Sequence, residues 1–117
     1  MPVRKIKDIP VETVSAGKAA TRQVLWASGE TPNFAMRKFR IEPGGNMPQH
    51  TNTVEHEQYV LGGRARIGLG SKTIEVRKDD VIFIPAGLPH WYETLGNEAF
   101  EFLCMVPNKP DEIKIIK

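Results

Sequence analysis

Sulphur chemistry is nearly absent from this chain: 117 residues contain one cysteine, Cys104. A single thiol excludes an internal disulfide framework, and a chain of this length can bury a core without covalent staples. It also agrees with a reducing compartment, so the expected location is cytoplasmic. Long apolar runs are missing too. No stretch approaches the ~18 residues that span a bilayer, and the opening MPVRKIKDIP lacks the apolar segment of a secretory leader. Neither charge sign dominates: 16 Lys and Arg against 14 Asp and Glu leave a net +2. That is too mild to call for nucleic acid. Neither a nucleic-acid partner nor a membrane partner is expected.

Other signatures also fail. No helical period persists over roughly ten residues. The stretch Gly68-Leu69-Gly70-Ser71-Lys72 has neither Walker spacing nor a following helix. No serine elbow occurs, and Cys104 has no accompanying Cys/His signature.

What remains is a succession of short alternating runs broken by Gly and Pro. Residues 1–20 read as an edge strand and a loop, with the character of a mobile N-terminal arm. Strands are expected at 22–27, at 34–42 with a stop at Pro43-Gly44-Gly45, at 54–61 and at 81–84 before Pro85. Ala65, Ile67 and Leu69 face Ile74 and Val76 across Gly70-Ser71, and glycine first in a two-residue loop signals a type II′ hairpin. Phe100, Phe102, Cys104 and Val106 alternate with Glu101, Leu103 and Met105, and Ile113, Ile115 and Ile116 mark a terminal strand. Arg37, Lys38, Arg40, Arg64, Arg66, Arg77 and Lys78 lie in or beside these strands and read as a solvated outer face. The pattern predicts one all-β domain over 1–117, a sandwich or barrel with little helix.

Residues 42–63 read EPGGNMPQHTNTVEHEQYVLGG. Gly44, His50, Asn52, His56 and Gly63 keep the spacing of the first motif of the cupin superfamily, written glycine, five, His, one, His, three or four, Glu, six, glycine. Asn52 stands where the second histidine is expected, and His56 stands where the glutamate is expected. Residues 79–94 resemble the second motif, with Pro85, Gly87 and His90 in register, Asp79 in place of its glycine and Thr94 in place of its asparagine. The chain is thus similar to the small single-domain cupins with a histidine-rich site. That resemblance implies a jelly roll (a double-stranded β-helix barrel), a divalent transition metal ion (Fe, Mn, Ni, Cu or Zn), a small-molecule ligand and a back-to-back homodimer.

Side chains alternate faces along a strand, so His56 and Gln58 point one way and Glu55 and Glu57 the other, while His50 and Asn52 share a face. If that face is interior, His50, His56 and His90 converge from three strands as metal ligands. Three neutral imidazoles leave the full +2 charge of an ion in place. Asn52 is either a weak fourth ligand or a hydrogen-bonding neighbour of a bound water. Gln58 either ligates or orients a substrate, or is a polar residue near the mouth. Cys104, beside Phe102, lies under the site and reads foremost as a small buried hydrophobe. Of Trp91 and Tyr92, which follow His90, one must face inward; Tyr59 and Trp26 are further candidates for pocket walls.

No inward glutamate supplies a general base. The expected function is a metal-dependent enzyme of the oxygenase type acting on a small polar molecule, with isomerase and lyase chemistry open and no catalytic residue assigned. The alternative is a non-catalytic metal- or ligand-sensing module.

Overall fold

The computed structural model describes residues 2–116. Among them ten strands form in chain order: β1 (Glu12–Thr13), β2 (Lys18–Trp26), β3 (Phe34–Thr51), β4 (His56–Gly62), β5 (Arg64–Leu69), β6 (Lys72–Arg77), β7 (Val81–Ile84), β8 (His90–Leu95), β9 (Phe100–Pro107) and β10 (Lys114–Ile115). The helical content of the described residues is one 3₁₀ turn, Ile6–Asp8. Every pairing is antiparallel, in the order β6-β5-β8-β3-β9-β4-β7, with β2 and β10 also on β3 and β1 on β2. This curled sheet is the all-β jelly roll that the strand pattern and motifs anticipate.

The expected stop at Pro43-Gly44-Gly45 is a bend instead. The first half of β3 pairs with β2 and β9 as far as Ile41, and its second half pairs with β8 and β10 from Asn46 onward. Between the halves the register on β2 slips from Ala20↔Ile41 to Lys18↔Asn46. Gly44 takes φ +80, and a Cβ on Gly45 would lie 2.6 Å from the Lys18 carbonyl oxygen. Proline and glycine therefore turn the strand without ending it, because the proline falls where the ladder is already interrupted.

The inward faces carry the core: Ile41, Val60, Ala65, Ile67, Ile84, Phe100 and Phe102 are essentially inaccessible. Tyr92 stacks on Phe102 at 5.1 Å, and Phe102 on Phe39 at 5.2 Å, forming an aromatic row across three strands. The hairpin is as expected: Leu69 faces Lys72, and of Gly70 and Ser71 only the glycine has positive φ, at +62. Asp79, which replaces a motif glycine, still takes φ +75 and accepts a 2.5 Å hydrogen bond from the Tyr59 hydroxyl. Short Asp side chains tolerate that backbone better than most.

Both ends of the chain are tied to the barrel. Arg4 lies 4.0 Å over the Trp26 ring, donates to the Leu25 carbonyl and pairs with Glu30. Gln23 donates to the carbonyls of Ile6 and Ile9. At the other end β10 lies along the His50 end of β3. No helix among the described residues is long and apolar enough to cross a membrane.

Gly63 gives the sharpest test of the packing. Its φ is +77, and an added Cβ would meet the Ala99 carbonyl oxygen at 2.1 Å. Gly63→Ala should cost on the order of 2–4 kcal/mol in urea denaturation. Gly29→Ala, which meets nothing within 4 Å, should stay within about 0.5 kcal/mol.

Candidate functional site

Three strands deliver the histidines to one cavity. On β3 the inward positions are Ala35, Phe39, Ile41 and Met47, until the register with β8 shifts between Met47 and His50. That shift turns His50 and Asn52 inward together, and both are buried. On β4, His56 and Gln58 are buried while Glu57 and Tyr59 are exposed. His90 opens β8 after Pro89, sits opposite His50, and is 1% exposed. The ring centroids of His50 and His90 are 4.1 Å apart, and those of His56 and His90 are 6.1 Å apart. The three rings, from β3, β4 and β8, line one cavity.

The hydrogen bonds of His50 and His90 determine which nitrogen those two rings offer. Nδ1 of His50 lies 2.8 Å from the Pro48 carbonyl, and Nδ1 of His90 lies 2.9 Å from the Leu88 carbonyl. A carbonyl only accepts, so each Nδ1 carries the proton, and Nε2 of the neutral ring keeps its lone pair. Nδ1 of His56 lies 3.4 Å from Cys104 Sγ. The Nε2 atoms of His56 and His90 are buried without a partner. Burial holds His56 down to about 3, helped by the positive charge of Arg37 and by His90. Burial likewise holds His90 down to about 4, against the Leu88 carbonyl bond, which favours its protonated form. Both rings are neutral at pH 7. Among the described residues no three His, Cys, Asp or Glu side chains are closed into a ligand cage; the imidazoles line one space rather than touching a common point. Their chemistry nonetheless fits a soft-to-borderline divalent ion, since unpaired imidazole nitrogens inside a protein otherwise lack a partner.

The amides and the thiol complete the wall. Asn52 donates from Nδ2 to Asp111 Oδ2 at 3.0 Å, and its Oδ1 is buried without a partner. Because a carboxylate only accepts, Asp111 fixes this amide with nitrogen toward itself and oxygen away. Asp111 also accepts from the Thr53 backbone N–H at 2.9 Å. The Gln58 amide and the Tyr92 hydroxyl bond each other, at 2.8 Å from Nε2 and 3.1 Å to Oε1. Burial pushes the Tyr92 hydroxyl up, so it stays protonated at neutral pH. Cys104 is fully buried beneath them, and burial pushes its thiol up as well. The cavity volume is about 100 Å³, and Val14, Ala16, Ile113 and Ile115 from the two ends of the chain are part of its lining.

Of the candidates for the pocket, Cys104, Tyr92 and Phe102 line the cavity, and three other aromatic candidates are not among its lining residues. Tyr59 alternates with Gln58 and is 38% exposed on the outer face. Trp91 faces away from Tyr92 and packs its ring over Gly68, whose missing Cβ leaves it room. Trp26 lines a separate surface groove with Phe34 and Met36. Two residues that the sequence reading did not place here are important. Arg37, assigned there to the solvated outer face, lines the cavity and donates to Cys104 Sγ at 3.4 Å. Its parity with Ala35, Phe39 and Ile41 was the available signal. Asp111 left no signal, because its contact with Asn52 spans 59 residues of sequence.

The buried histidines predict an acid-sensitive fold. Their values are about 3 and 4 when folded, against about 6.5 in the unfolded chain. Below about 6.5 the unfolded chain therefore binds more protons, so stability is complete above that pH and declines as pH falls toward 4. For metal-free protein, going from pH 7 to pH 5 should cost about 2 kcal/mol for each of the two histidines. Urea midpoints at the two pH values measure this, and equal midpoints would mean that both rings protonate freely in the fold.

Comparison with known proteins places this geometry. Residues 37–106 match the family Cupin_2, the cupin domain. A curated relative, 1-methylthio-D-xylulose 5-phosphate methylsulfurylase of Rhodospirillum rubrum, is 32% identical over 81% of this chain, which spans only 60% of that protein's length. The polyketide cyclase RemF of Streptomyces resistomycificus superposes with a TM-score of 0.90 at 29% identity, covering 100% of this chain and 86% of that one. A cupin-2 domain from Rhodospirillum rubrum superposes at 0.85 with 25% identity, covering 98% and 80%. With its matched segment running from Arg37 to Val106, through both histidine motifs and over more than half of its length, the chain belongs to the cupin-domain family.

Proposed function

We propose that the protein binds one divalent transition metal ion through His50, His56 and His90 and acts as a metal-dependent enzyme of the oxygenase type on a small polar molecule. The observation that carries this reading is the pair of buried, unpartnered Nε2 atoms on His56 and His90, two residues that line the same cavity as His50. Asn52, with its nitrogen held by Asp111, turns an oxygen toward the remaining side and serves as a weak donor or as the acceptor for a bound water. A bound iron, manganese, nickel, copper or zinc ion would supply Lewis acidity and, for the redox-active ions, electron transfer. The chain's own part is to keep His56 and His90 neutral by burial and to orient His50 and His90 through the Pro48 and Leu88 carbonyls.

Among the described residues no carboxylate lines the cavity, and the Tyr92 hydroxyl is a proton donor rather than a base. That shortage of a general base favours a second reading, a non-catalytic module that binds metal or small ligand.

His50→Ala, His56→Ala and His90→Ala should each remove most of the metal, read by elemental analysis of protein purified without a histidine tag. The barrel should stay folded, because its core does not depend on an ion. Unchanged metal in all three variants would sink the metal reading. For the oxygenase reading, protein loaded with iron, copper or manganese should consume dioxygen with a small chelating substrate, and zinc-loaded protein should not. Turnover that is equal with zinc would reassign the reaction to isomerase or lyase chemistry, and metal binding without turnover would leave the sensing module.

A further inference from the structure

Arg37 is a half-buried cation whose Nε is fully buried, and among the described residues it has no carboxylate partner. Across β2, β3, β9 and β4 the register aligns Val24, Arg37, Cys104 and Gln58 in one row. Directly opposed residues share a face, so Arg37 projects into the barrel with Cys104 and Gln58. Its Nη2 meets only the Cys104 sulphur, a weak acceptor. Its Nε is buried and has no acceptor at all. The guanidinium carbon stands 5.1 Å from the Phe39 ring. The other cation on the cavity wall, Arg22, is already paired with Glu12 at 3.0 Å. Among the described residues Arg37 pairs with no carboxylate, and no acidic side chain lines the cavity.

A guanidinium N–H removed from water without an acceptor is unfavourable, and Arg37 Nε is such a donor. The arrangement becomes favourable when an oxyanion occupies the edge formed by Nε and Nη2, which matches a carboxylate with two parallel hydrogen bonds. We propose that Arg37 makes this cavity a receptor for a compact carboxylate, bound on the guanidinium edge beside the three histidines. The inference rests on the reading of this cavity as the functional site and adds the chemical class of what enters it. Size narrows the class. The cavity of about 100 Å³ holds roughly three waters and is well below the ~300 Å³ at which pockets for larger ligands begin. A short-chain carboxylate fits. Phe39, Phe102, Met47 and Ile113 give the ligand's carbon atoms an apolar wall.

The test is isothermal calorimetry on the full chain, metal-free and then zinc-loaded, with malonate, its neutral analogue malonamide, and inorganic phosphate. Malonate should bind, with malonamide at least about tenfold weaker and phosphate weaker than malonate. Arg37→Gln should lose about 10- to 100-fold in malonate affinity, the range for a hydrogen bond to a charged group. Arg37→Lys, which keeps the charge but not the two-pronged edge, should retain part of it. Thermal melts confirm that each variant is folded. Equal binding of malonate and malonamide, undiminished malonate affinity in Arg37→Gln, or no malonate binding in either metal state would overturn the proposal. Phosphate binding as tightly as malonate would overturn the carboxylate assignment. Zinc content of the same samples separates the two readings: a chain that holds no zinc yet binds malonate through Arg37 refutes the metal centre and keeps the anion site.

Discussion

The bend in β3 is the constraint on which the rest of the structure depends. A straight strand of 18 residues would extend about 60 Å, yet the longest dimension of the molecule is 39 Å. The strand must therefore curve around the interior, and Pro43-Gly44-Gly45 is where it does so. One half presents Arg37 and Phe39, the other His50 and Asn52, so a single strand contributes to two walls of the same cavity. Four other strands take their positions from it. The second irregularity, between Met47 and His50, is as consequential, because it shifts which residues face inward just before the histidine. Strand irregularities next to sites commonly re-aim side chains in this way.

The cavity's electrostatics follow from what is excluded. Burial and the absence of lining carboxylates hold His56 and His90 in their neutral forms, which are the forms that donate lone pairs. A glutamate at the position of His56 would have brought a negative charge beside Arg37. With an imidazole there instead, Arg37 faces only neutral groups and a protonated thiol. Among the described residues the cavity lining is thus rich in neutral donors and carries positive charge at Arg37 without a carboxylate partner. Asp111 supplies negative charge from outside the lining, where it is neutralised in part by hydrogen bonds from Asn52 and Thr53.

The aromatic row provides the rigidity. Phe39, Phe102 and Tyr92 stack beneath the histidines, and the Tyr92 hydroxyl is tied to the Gln58 amide. Residues packed this way have few alternative rotamers, so the polar groups above them keep their spacing without disulfide or helix. Alternation along the chain supplied only the central member of this row, Phe102, which shares a face with Phe100 and Cys104; Phe39 and Tyr92 come from other strands.

What the chain determined alone was local. The period of two put His56 with Gln58 and His50 with Asn52; Gly70-Ser71 dictated a hairpin; and the spacing of Gly44, His50, His56, Pro85, Gly87 and His90 carried the family pattern. These are properties of neighbouring residues, and a strand's pleat makes them legible. Tertiary structure decided the remainder. The turn residues at 43–45 became a bend because partners existed on both sides to continue the ladder. Trp91, Tyr59 and Trp26 went outside because register and packing, not hydrophobicity, choose the face an aromatic occupies. Arg37 went inside although charge alone argues for solvent, since its backbone parity was already committed by Ala35, Phe39 and Ile41. Asp111 reached Asn52 only after the C-terminal strand folded back on β3. Contacts between residues distant in sequence are set by how the sheet closes, and no local pattern encodes that closure.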